Sequence, residues 1–236
     1  MKCIVIANIA GGVGKSTSAH AISVAATEYG KKVLLIDADP ASAATFLCGV
    51  ENPRASIKEF LAKELSLESA IVRTSERFAL LPSASRLNSL DIDRAISIEA
   101  LRESLSEYEL VIIDTATGPN RVMTYLSGLA DLFVIPTTEE ILSIRGALHA
   151  KNFAAESGYT AQNLLIVTMQ SDALAPEVFE QLSQDFEVLE PAIREDRHVF
   201  ESQMSGRSVL SLHNQSAVSA DYREITYTLL EKLELI

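Results

Sequence analysis

Short apolar runs, rich in β-branched residues, alternate along the chain with longer segments in which apolar residues recur at helical spacing. The runs cover residues 2–8, 32–37, 78–81, 110–114, 132–136 and 164–168. Continuous apolar runs of this length are typical of strands that are buried on both faces of a parallel sheet. The pattern therefore predicts an α/β fold with a mostly parallel, doubly wound sheet and helices on both faces.

The segments between these runs supply the predicted helices. Residues 16–29, 56–71, 86–105 and 216–235 have apolar side chains at helical spacing, whereas residues 190–215 are the least regular part of the chain. The sequence shows no internal repeat, low-complexity tract or long linker. A chain of 236 residues is long enough for one sizeable core, and we expect a single domain over residues 1–236.

Composition narrows the classes of function. Hydrophobic content of 47% with 22% charged residues is ordinary for a globular protein. The longest apolar stretches are far shorter than the roughly 20 residues of a membrane span, and the first residues lack the features of a signal peptide. We therefore expect a soluble, cytoplasmic protein. A net charge of −12 argues against nucleic-acid binding by the whole surface and leaves only a local basic face for it.

The two cysteines, Cys3 and Cys48, are too few and too far apart for a metal-type pair or a disulfide framework. Buried free thiols are the expected outcome.

The most specific motif lies between the first predicted strand and the first predicted helix. It reads Gly11, Gly12, Val13, Gly14, Lys15, Ser16, Thr17. Glycines permit the backbone angles that let successive N–H groups surround phosphate oxygens at a helix N-terminus. Lys15 is predicted to reach the β- and γ-phosphates, Ser16 to bind Mg²⁺, and Thr17 to contact the α-phosphate. Ile9 replaces the first glycine of the strict phosphate-loop pattern, so the loop is a variant one.

Three carboxylates follow neighbouring predicted strands. Asp114 closes the run 110–113, and Asp37 and Asp39 close the run 32–36. Nucleotide hydrolysis requires acidic groups that hold Mg²⁺ and a water beyond the γ-phosphate, and the ends of parallel strands meet at one edge of a sheet. We assign Asp114 to the Mg²⁺ site, and the alternative for all three is a helix N-cap.

Taken together, these segments resemble the ParA/MinD superfamily of deviant-Walker-A P-loop ATPases. Residues 10–17 are similar to its phosphate loop, 34–40 to its switch I segment, and 111–115 to its Walker B and switch II segment. Residues 133–136 resemble a later strand of the family that ends in proline. Residues 193–222 resemble the C-terminal segment of ParA-type partition and positioning ATPases without an N-terminal DNA-binding domain. The resemblance covers the whole chain.

The resemblance implies an ATPase that uses ATP and Mg²⁺ and closes face to face into a homodimer when ATP is bound. It implies that Asp39 orients the attacking water and, with Lys15, acts in catalysis. Ser16, Asp37 and Asp114 would form the Mg²⁺ site, and Met169 with residues 191–194 would contact adenine. It also implies a partner protein that stimulates hydrolysis and a role in DNA partition or cargo positioning.

One position departs from the family. Family members usually have a lysine before the double glycine, which reaches into the partner's site, whereas this chain has Ala10. Loss of that cation implies slow hydrolysis, since trans-acting arginine fingers contribute about 10³–10⁵ in rate. An engineered substitution, a natural variant with weak hydrolysis, and a cation from elsewhere remain open. Lys151, Arg145 and Arg121 are the candidate substitutes, and a solvated helix face is the alternative role of each.

The C-terminal part of the sequence predicts whether the protein binds a membrane or DNA. The last helical segment has acidic polar positions, which disfavours anionic membrane, so we expect it to pack on its own core. DNA loading requires phosphate contacts, and the candidates are Arg194, Arg197, Arg207 and Arg223. Acidic residues lie between them, so ordinary solvated charge is the alternative. The resulting hypothesis is a nucleoid-associated ATPase that binds DNA without sequence preference.

Two other functions stay open. One is a regulator that binds nucleotide without hydrolysing it, which Ala10 favours. The other is a metabolic enzyme on the same scaffold. Members that bridge an iron–sulfur cluster need cysteines that this chain lacks, and a kinase of this type would have a C-terminal tyrosine cluster, whereas an amidoligase has no short signature that would exclude it.

Overall fold

The computed structural model describes residues 1–156, 158–159, 161–170 and 175–236. Its strands form one eight-stranded sheet in the order β3-β4-β2-β5-β1-β6-β7-β8. The strands are β1 Lys2–Ile6, β2 Val33–Ala38, β3 Val72–Arg73, β4 Ala79–Leu81, β5 Leu110–Thr115, β6 Leu132–Thr137, β7 Gln162–Val167 and β8 Glu187–Leu189. Strand β3 pairs antiparallel with β4, and every other pairing of neighbours is parallel. The predicted α/β class with a mostly parallel sheet is confirmed.

Helices cover both faces of this sheet. They are α1 Lys15–Glu28, α2 Ala43–Leu47, α3 Ile57–Leu61, α4 Leu67–Ala70, α5 Ile98–Ser104, α6 Arg121–Ser127, α7 Ile141–Glu156, α8 Pro176–Ser183, α9 Arg197–Met204, α10 Val209–Leu212 and α11 Ala217–Lys232. Two 3₁₀ helices, Ser85–Ser89 and Ile92–Arg94, precede α5. Within the described ranges, no helix combines the length and apolar character needed to cross a membrane.

The core has two main layers because successive side chains of a strand point to opposite faces of the sheet. In β1, Ile4 and Ile6 pack into the layer under α1 and α11, whereas Cys3 and Val5 pack into the layer under α3, α5 and α6. A third cluster joins β6 and β7 to α7 and α8. Central strands are therefore apolar on both faces, which is why their sequence runs are continuous.

The C-terminal helix packs as predicted. Tyr222, Ile225, Leu229 and Leu230 of α11 are buried in the layer shared with α1. Its glutamates, Glu224 and Glu231, are exposed, whereas Asp221 is buried. Its apolar positions pack on the core of its own chain.

Several boundaries predicted from the sequence are wrong. Residues 56–71 form two short helices, because Ser56 and Ser66 each cap a new helix with their side chains. Residues 86–105 form two 3₁₀ helices and then α5, which begins after the capping residue Ser97. Residues 190–215, predicted to be irregular, contain α9 and α10, and the short strands β3 and β8 were not predicted at all.

A buried contact between a histidine and a glutamate connects three parts of the fold. His20 of α1 lies 2.5 Å from Glu76, which is in the turn between β3 and β4. The other carboxylate oxygen of Glu76 accepts a hydrogen bond from the backbone N–H of Ser208, the N-cap of α10. Burial raises the pKa of Glu76, but the hydrogen bond from His20, its coulombic attraction and the hydrogen bonds from Ser211 and Ser208 together outweigh burial, so the net pKa lies below the usual value. The charged form of Glu76 is therefore stabilised by folding.

We predict that Glu76→Ala lowers the free energy of unfolding by about 3–5 kcal/mol, because it leaves buried donors without a partner. Exposed Glu224 provides the control, and Glu224→Ala should change it by less than about 0.5 kcal/mol. Because folding lowers the pKa of Glu76, its contribution is present above the ordinary glutamate pKa of about 4.3 and is lost as the pH falls through the lower folded-state value. Urea unfolding across this pH range measures both effects, and equal losses for the two variants would contradict the prediction.

Candidate nucleotide-binding site

The predicted phosphate loop and carboxylates meet at the carboxyl edge of the central strands. Asp114 of β5 lies in register with Ile6 of β1 on one side and with Asp37 of β2 on the other. The loop after Ile6 leads directly into α1. Parallel pairing of β1, β5 and β2 thus brings together Ile6, Asp37 and Asp114, which are 31 to 108 positions apart in the chain, as their positions at strand ends predict.

The loop itself has the backbone of an anion-binding turn. Gly12 and Gly14 have φ values of 74° and 83°, a region that side-chain-bearing residues rarely adopt. Gly14 is the N-cap of α1, and it supplies no side chain to cap the first N–H groups of the helix. The first turn also contains no acidic residue. The positive end of α1 is therefore open to an anionic ligand.

Lys15 lies under this loop with only 7% of its surface exposed. Its Nζ donates a hydrogen bond of 2.9 Å to the backbone carbonyl of Ala10. Burial lowers the pKa of Lys15, and the nearby Asp114 and Asp39 offset part of that shift. An anion at the helix N-terminus would provide a further partner for this buried ammonium group.

Asp114 is the least satisfied group of the site. It is fully buried, and neither carboxylate oxygen has a hydrogen-bond partner of good geometry among the described residues. Burial, reinforced by Asp37, holds the pKa of Asp114 well above its usual range, whereas the Ser16 hydroxyl and Lys15 act in the opposite direction. A buried, unpartnered carboxylate beside a serine hydroxyl is a donor set that fits Mg²⁺, which prefers oxygen ligands.

Asp37 is also fully buried, but its carboxylate is engaged by its own chain. One oxygen accepts hydrogen bonds from the backbone N–H and the hydroxyl of Thr45, both 2.7 Å long, and the other accepts from the backbone N–H of Asp39. The Thr45 hydroxyl also accepts a bond from Ser83 N–H. Burial raises the pKa of Asp37, and these hydrogen bonds offset part of the shift. Here Asp37 fixes the switch I segment against α2, and its predicted place in the Mg²⁺ site remains a prediction.

Asp39 and Met169 lie on two sides of the loop. Asp39 lines a cleft together with Gly12, Lys15 and Ser16, and its carboxylate accepts a bond from the backbone N–H of Ala41. Met169, whose φ is 55°, lines a second pocket with Gly14, Thr17, Ile193 and Arg194. The segments predicted to bind adenine are therefore adjacent to the loop predicted to bind phosphate.

Sequence reasoning missed three side chains that shape the loop. Buried Asn8 accepts a hydrogen bond from Ala10 N–H and donates to the carbonyl of Pro136. The Thr168 hydroxyl donates to the Val13 carbonyl, and Gln203 of α9 donates to the Thr17 hydroxyl. Asn8 and Thr168 follow apolar strands, which could have marked them, whereas Gln203 gave no signal because it is distant in the chain.

Ala10 packs against helix α7. A Cβ placed on Gly146 would lie 2.8 Å from the Ala10 Cβ and 2.4 Å from the side-chain oxygen of Asn8. A Cβ atom essentially never lies this close to another atom, so a larger residue at position 146 would require Asn8 and the backbone at Ala10 to shift. The Cβ of residue 10 therefore points toward α7.

The three candidate replacements for the missing lysine differ in their surroundings. Lys151 donates to the carbonyl and the carboxylate of Asp185, and Arg121 donates to Asp93. Arg145 is exposed, immediately precedes Gly146, and has no carboxylate partner within the described part of the chain. Of the three, Arg145 is the one adjacent in sequence to Gly146, which lies against Ala10, and it has no carboxylate partner among the described residues.

The predicted DNA contacts fall into two groups. Arg194 is paired with buried Asp221, and Arg223 is paired with Glu28. Arg197 and Arg207 are exposed at either end of α9, and the described residues offer them no carboxylate within ion-pair distance. The pairing of Arg194 and Arg223 indicates a structural role, so the structure leaves two of the four arginines uncommitted.

The buried carboxylate of Asp114 gives a prediction about stability without nucleotide. Asp114→Asn removes a buried carboxylate that has no hydrogen-bond partner among the described residues, so it should raise the free energy of unfolding, because burial disfavours the charged form. The same change should abolish any Mg²⁺-dependent increase in nucleotide affinity. Urea unfolding and calorimetry measure the two effects. The control Asp93→Asn, at an exposed ion pair, should change neither, and a destabilised Asp114→Asn would contradict the prediction.

Comparison with known proteins agrees with this geometry. Residues 1–156 match a family model described as an AAA domain. The chain is 29% identical over 165 residues to the maintenance of carboxysome distribution protein A of Synechococcus elongatus (66% of each chain). It is 31% identical over 145 residues to the chromosome-partitioning ATPase Soj of Thermus thermophilus (61% of this chain, 57% of Soj). It is 28% identical over 250 residues to the septum site-determining protein MinD of Helicobacter pylori (96% and 90%).

Solved structures extend the likeness to nearly the whole chain. The cell division ATPase MinD of Pyrococcus furiosus has the same fold, with a TM-score of 0.83 at 21% identity (99% of this chain, 98% of that chain). Cobyrinic acid a,c-diamide synthase of Mycobacterium smegmatis, with bound ADP and magnesium, has a TM-score of 0.78 at 25% identity (99% and 96%). The family match and these relatives show that the chain belongs to the AAA-domain family and, as its sequence predicts, to the ParA/MinD superfamily of P-loop ATPases.

Proposed function

We propose that this protein is a ParA-type positioning ATPase, which binds ATP with Mg²⁺, pairs with a second copy while ATP is bound, and hydrolyses ATP slowly. The observation that supports it most is the unpartnered carboxylate of Asp114 beside Ser16, under an uncapped glycine loop. A divalent cation and a phosphate chain would satisfy the carboxylate, Lys15 and the N-terminus of α1 at once.

Different residues of the loop and its surroundings would bind different parts of ATP. The backbone N–H groups of residues 11–17 would surround the phosphates, and Lys15 would exchange the Ala10 carbonyl for the β- and γ-phosphates. Ser16 and Asp114 would hold Mg²⁺, whose charge offsets that of the phosphates. Met169 and Ile193 would contact the base, because they line the pocket next to Thr17. ADP and magnesium in the related diamide synthase support this arrangement.

Hydrolysis depends on Asp39, which would orient the attacking water from its cleft beside Lys15. The methyl group of Ala10 supplies no charge to a partner's phosphates. We therefore expect turnover to be slow without a stimulating partner protein, since loss of a trans-acting cation costs about 10³–10⁵ in rate.

Pairing of two copies would cover an apolar rim around the site. Phe46, Met169, Phe200 and Met204 line the cleft at the phosphate loop, and they are between 47% and 72% exposed. Contiguous exposed apolar side chains are typical of interaction surfaces. A bound nucleotide would complete this face and make pairing depend on ATP.

The cellular surface proposed for the dimer is the nucleoid. Soj, a chromosome-partitioning ATPase, and the carboxysome distribution protein are similar to this chain, and they support a role in placing DNA or another cargo. Of the four arginines predicted to contact DNA, Arg197 and Arg207 are exposed and have no carboxylate partner among the described residues, so they are the candidates for phosphate contacts. Two such residues per chain would bind DNA weakly, and the four residues of a dimer would bind it more tightly.

The central test compares ATP, ADP and no nucleotide, each with Mg²⁺. Sedimentation velocity should show a dimer only with ATP, and DNA retention should appear under the same condition and fall with added salt. Lys15→Ala should abolish both, whereas Lys32→Ala, at an exposed ion pair with Glu107, should abolish neither. Oligomers that form without ATP and retain no DNA would contradict the proposal.

A second test asks which cation serves hydrolysis in place of a lysine at position 10. We expect Arg145→Ala to lower ATP turnover at least about tenfold and to leave ATP binding unchanged. This loss is smaller than the rate effect of about 10³–10⁵ that arginine fingers contribute. Lys151→Ala is the control on the same helix, because Lys151 is already bonded to Asp185, and it should leave turnover unchanged. Unchanged turnover in Arg145→Ala would exclude this role.

One alternative has support from a specific comparison. Cobyrinic acid a,c-diamide synthase is similar to this chain over nearly its full length, so an ATP-dependent amide-forming enzyme is the second candidate. Such an enzyme turns over ATP only with its acid substrate and a nitrogen source. ATP turnover by the protein alone, or with DNA alone, therefore favours the positioning ATPase.

A further inference from the structure

A second group of potential ligands lies on α9 and at the C-terminal end of α10. It consists of His198, Glu201 and His213, and one donor atom from each lies within 4.8 Å of the others. His198 and Glu201 are three residues apart on α9, so they share one face of that helix. His213 is the C-cap of α10. Neither the phosphate loop nor the proposed hydrolysis uses these residues.

The two imidazoles are close but poorly satisfied. Their ring centroids are 4.2 Å apart. His213 Nε2 lies 3.3 Å from a carboxylate oxygen of Glu201, and His198 Nδ1 lies 2.9 Å from Asp196. Both nitrogens are buried, yet neither makes a hydrogen bond of good geometry within the described part of the chain. Donor atoms that are near each other without bonding to each other are arranged as they would be around a shared cation.

The distances fit a small transition-metal ion. Zinc binds imidazole nitrogen and carboxylate oxygen at about 2.0–2.2 Å, so ligand atoms around it are about 3–4 Å apart. To close the 4.8 Å spread of this cluster to that separation, each donor would have to move by about 0.4–0.9 Å. Asp196, at 2.9 Å from one ring nitrogen of His198, is in the place of the carboxylate that orients a metal-bound histidine.

The backbone around the cluster is held in place. Asp196 caps α9, and Ser208 caps α10 and also donates its N–H to the buried Glu76. The carbonyl of His213 accepts a hydrogen bond from the Ser219 hydroxyl of α11. Only side-chain rotations are therefore needed to close the cluster around an ion.

We propose that His198, Glu201 and His213 form a site for one borderline transition-metal ion, with Zn²⁺ as the ion that matches the ligands. Two imidazoles and one carboxylate leave a coordination position open to water. Mg²⁺ does not suit the site, because it prefers oxygen ligands. The nucleotide's Mg²⁺ and this ion would therefore occupy separate sites.

The ion would join α9 to α10 next to the nucleotide pocket. Asp196, Val199 and Phe200 line that pocket, and Gln203 bonds to Thr17 of the phosphate loop. An ion that ties His198 and Glu201 to His213 would restrict the movement of this wall. The nucleotide pocket would thus be more rigid when the metal ion is bound.

The test measures Zn²⁺ binding by calorimetry on metal-free protein, with Mg²⁺ in excess and no nucleotide. We expect one Zn²⁺ per chain, and the affinity should fall at least about tenfold in His198→Ala, His213→Ala and Glu201→Gln, because loss of even an outer-shell partner costs about 10–100-fold. His149→Ala, on the exposed face of α7, is the matched control and should bind as the unmodified chain does.

Two further measurements keep the result interpretable. Glu201→Gln alters only a half-exposed side chain, so its circular dichroism should match that of the unmodified chain and separate loss of a ligand from loss of the fold. Co²⁺ should give visible absorption that is displaced by Zn²⁺ and absent in the double variant of His198 and His213. Absence of Zn²⁺ binding, competition by Mg²⁺, or equal affinity in the double variant would overturn the proposal.

Discussion

The burial of two carboxylates at one register of adjacent parallel strands is the constraint on which the site depends. Asp37 and Asp114 lie side by side with no solvent exposure. The chain accommodates the resulting repulsion unevenly, because Thr45 and the Asp39 backbone hydrogen-bond to Asp37, whereas Asp114 has no hydrogen-bond partner of good geometry among the described residues. The first arrangement holds the segment after β2 against α2. In the proposed function, Mg²⁺ would satisfy the Asp114 carboxylate, so the stability lost by burying it would be recovered on binding.

The order of strands explains why so much of this arrangement could be predicted. Residues at the carboxyl ends of parallel strands converge whatever the length of the connections, so the apolar runs were enough to bring Asp37, Asp114 and the glycine loop together. The alternation of strands and helices gave the fold class for the same reason. Neither inference required information on how the helices pack.

Predictions failed where local and long-range effects compete. The helical pattern over residues 56–71 and 86–105 was real, but capping serines started new helices within it, and apolar spacing does not show caps. Residues 190–215 looked irregular because Pro191, Gly206 and many polar residues interrupt the apolar spacing, and the two helices that form there are short. The pairing of Arg194 with Asp221 and the contact of Gln203 with Thr17 depend on packing between distant segments, which no sequence spacing reports.

The close contact between Gly146 and residues 8 and 10 means that a substitution at one of these positions constrains the others. Glycine in the middle of a helix costs about 1 kcal/mol relative to alanine, yet a larger residue would require Asn8 and the backbone at Ala10 to shift. Substitution at position 146 would therefore have to be accompanied by a change in the path of the phosphate loop. Among descendants of this sequence, positions 8, 10 and 146 should vary together or not at all.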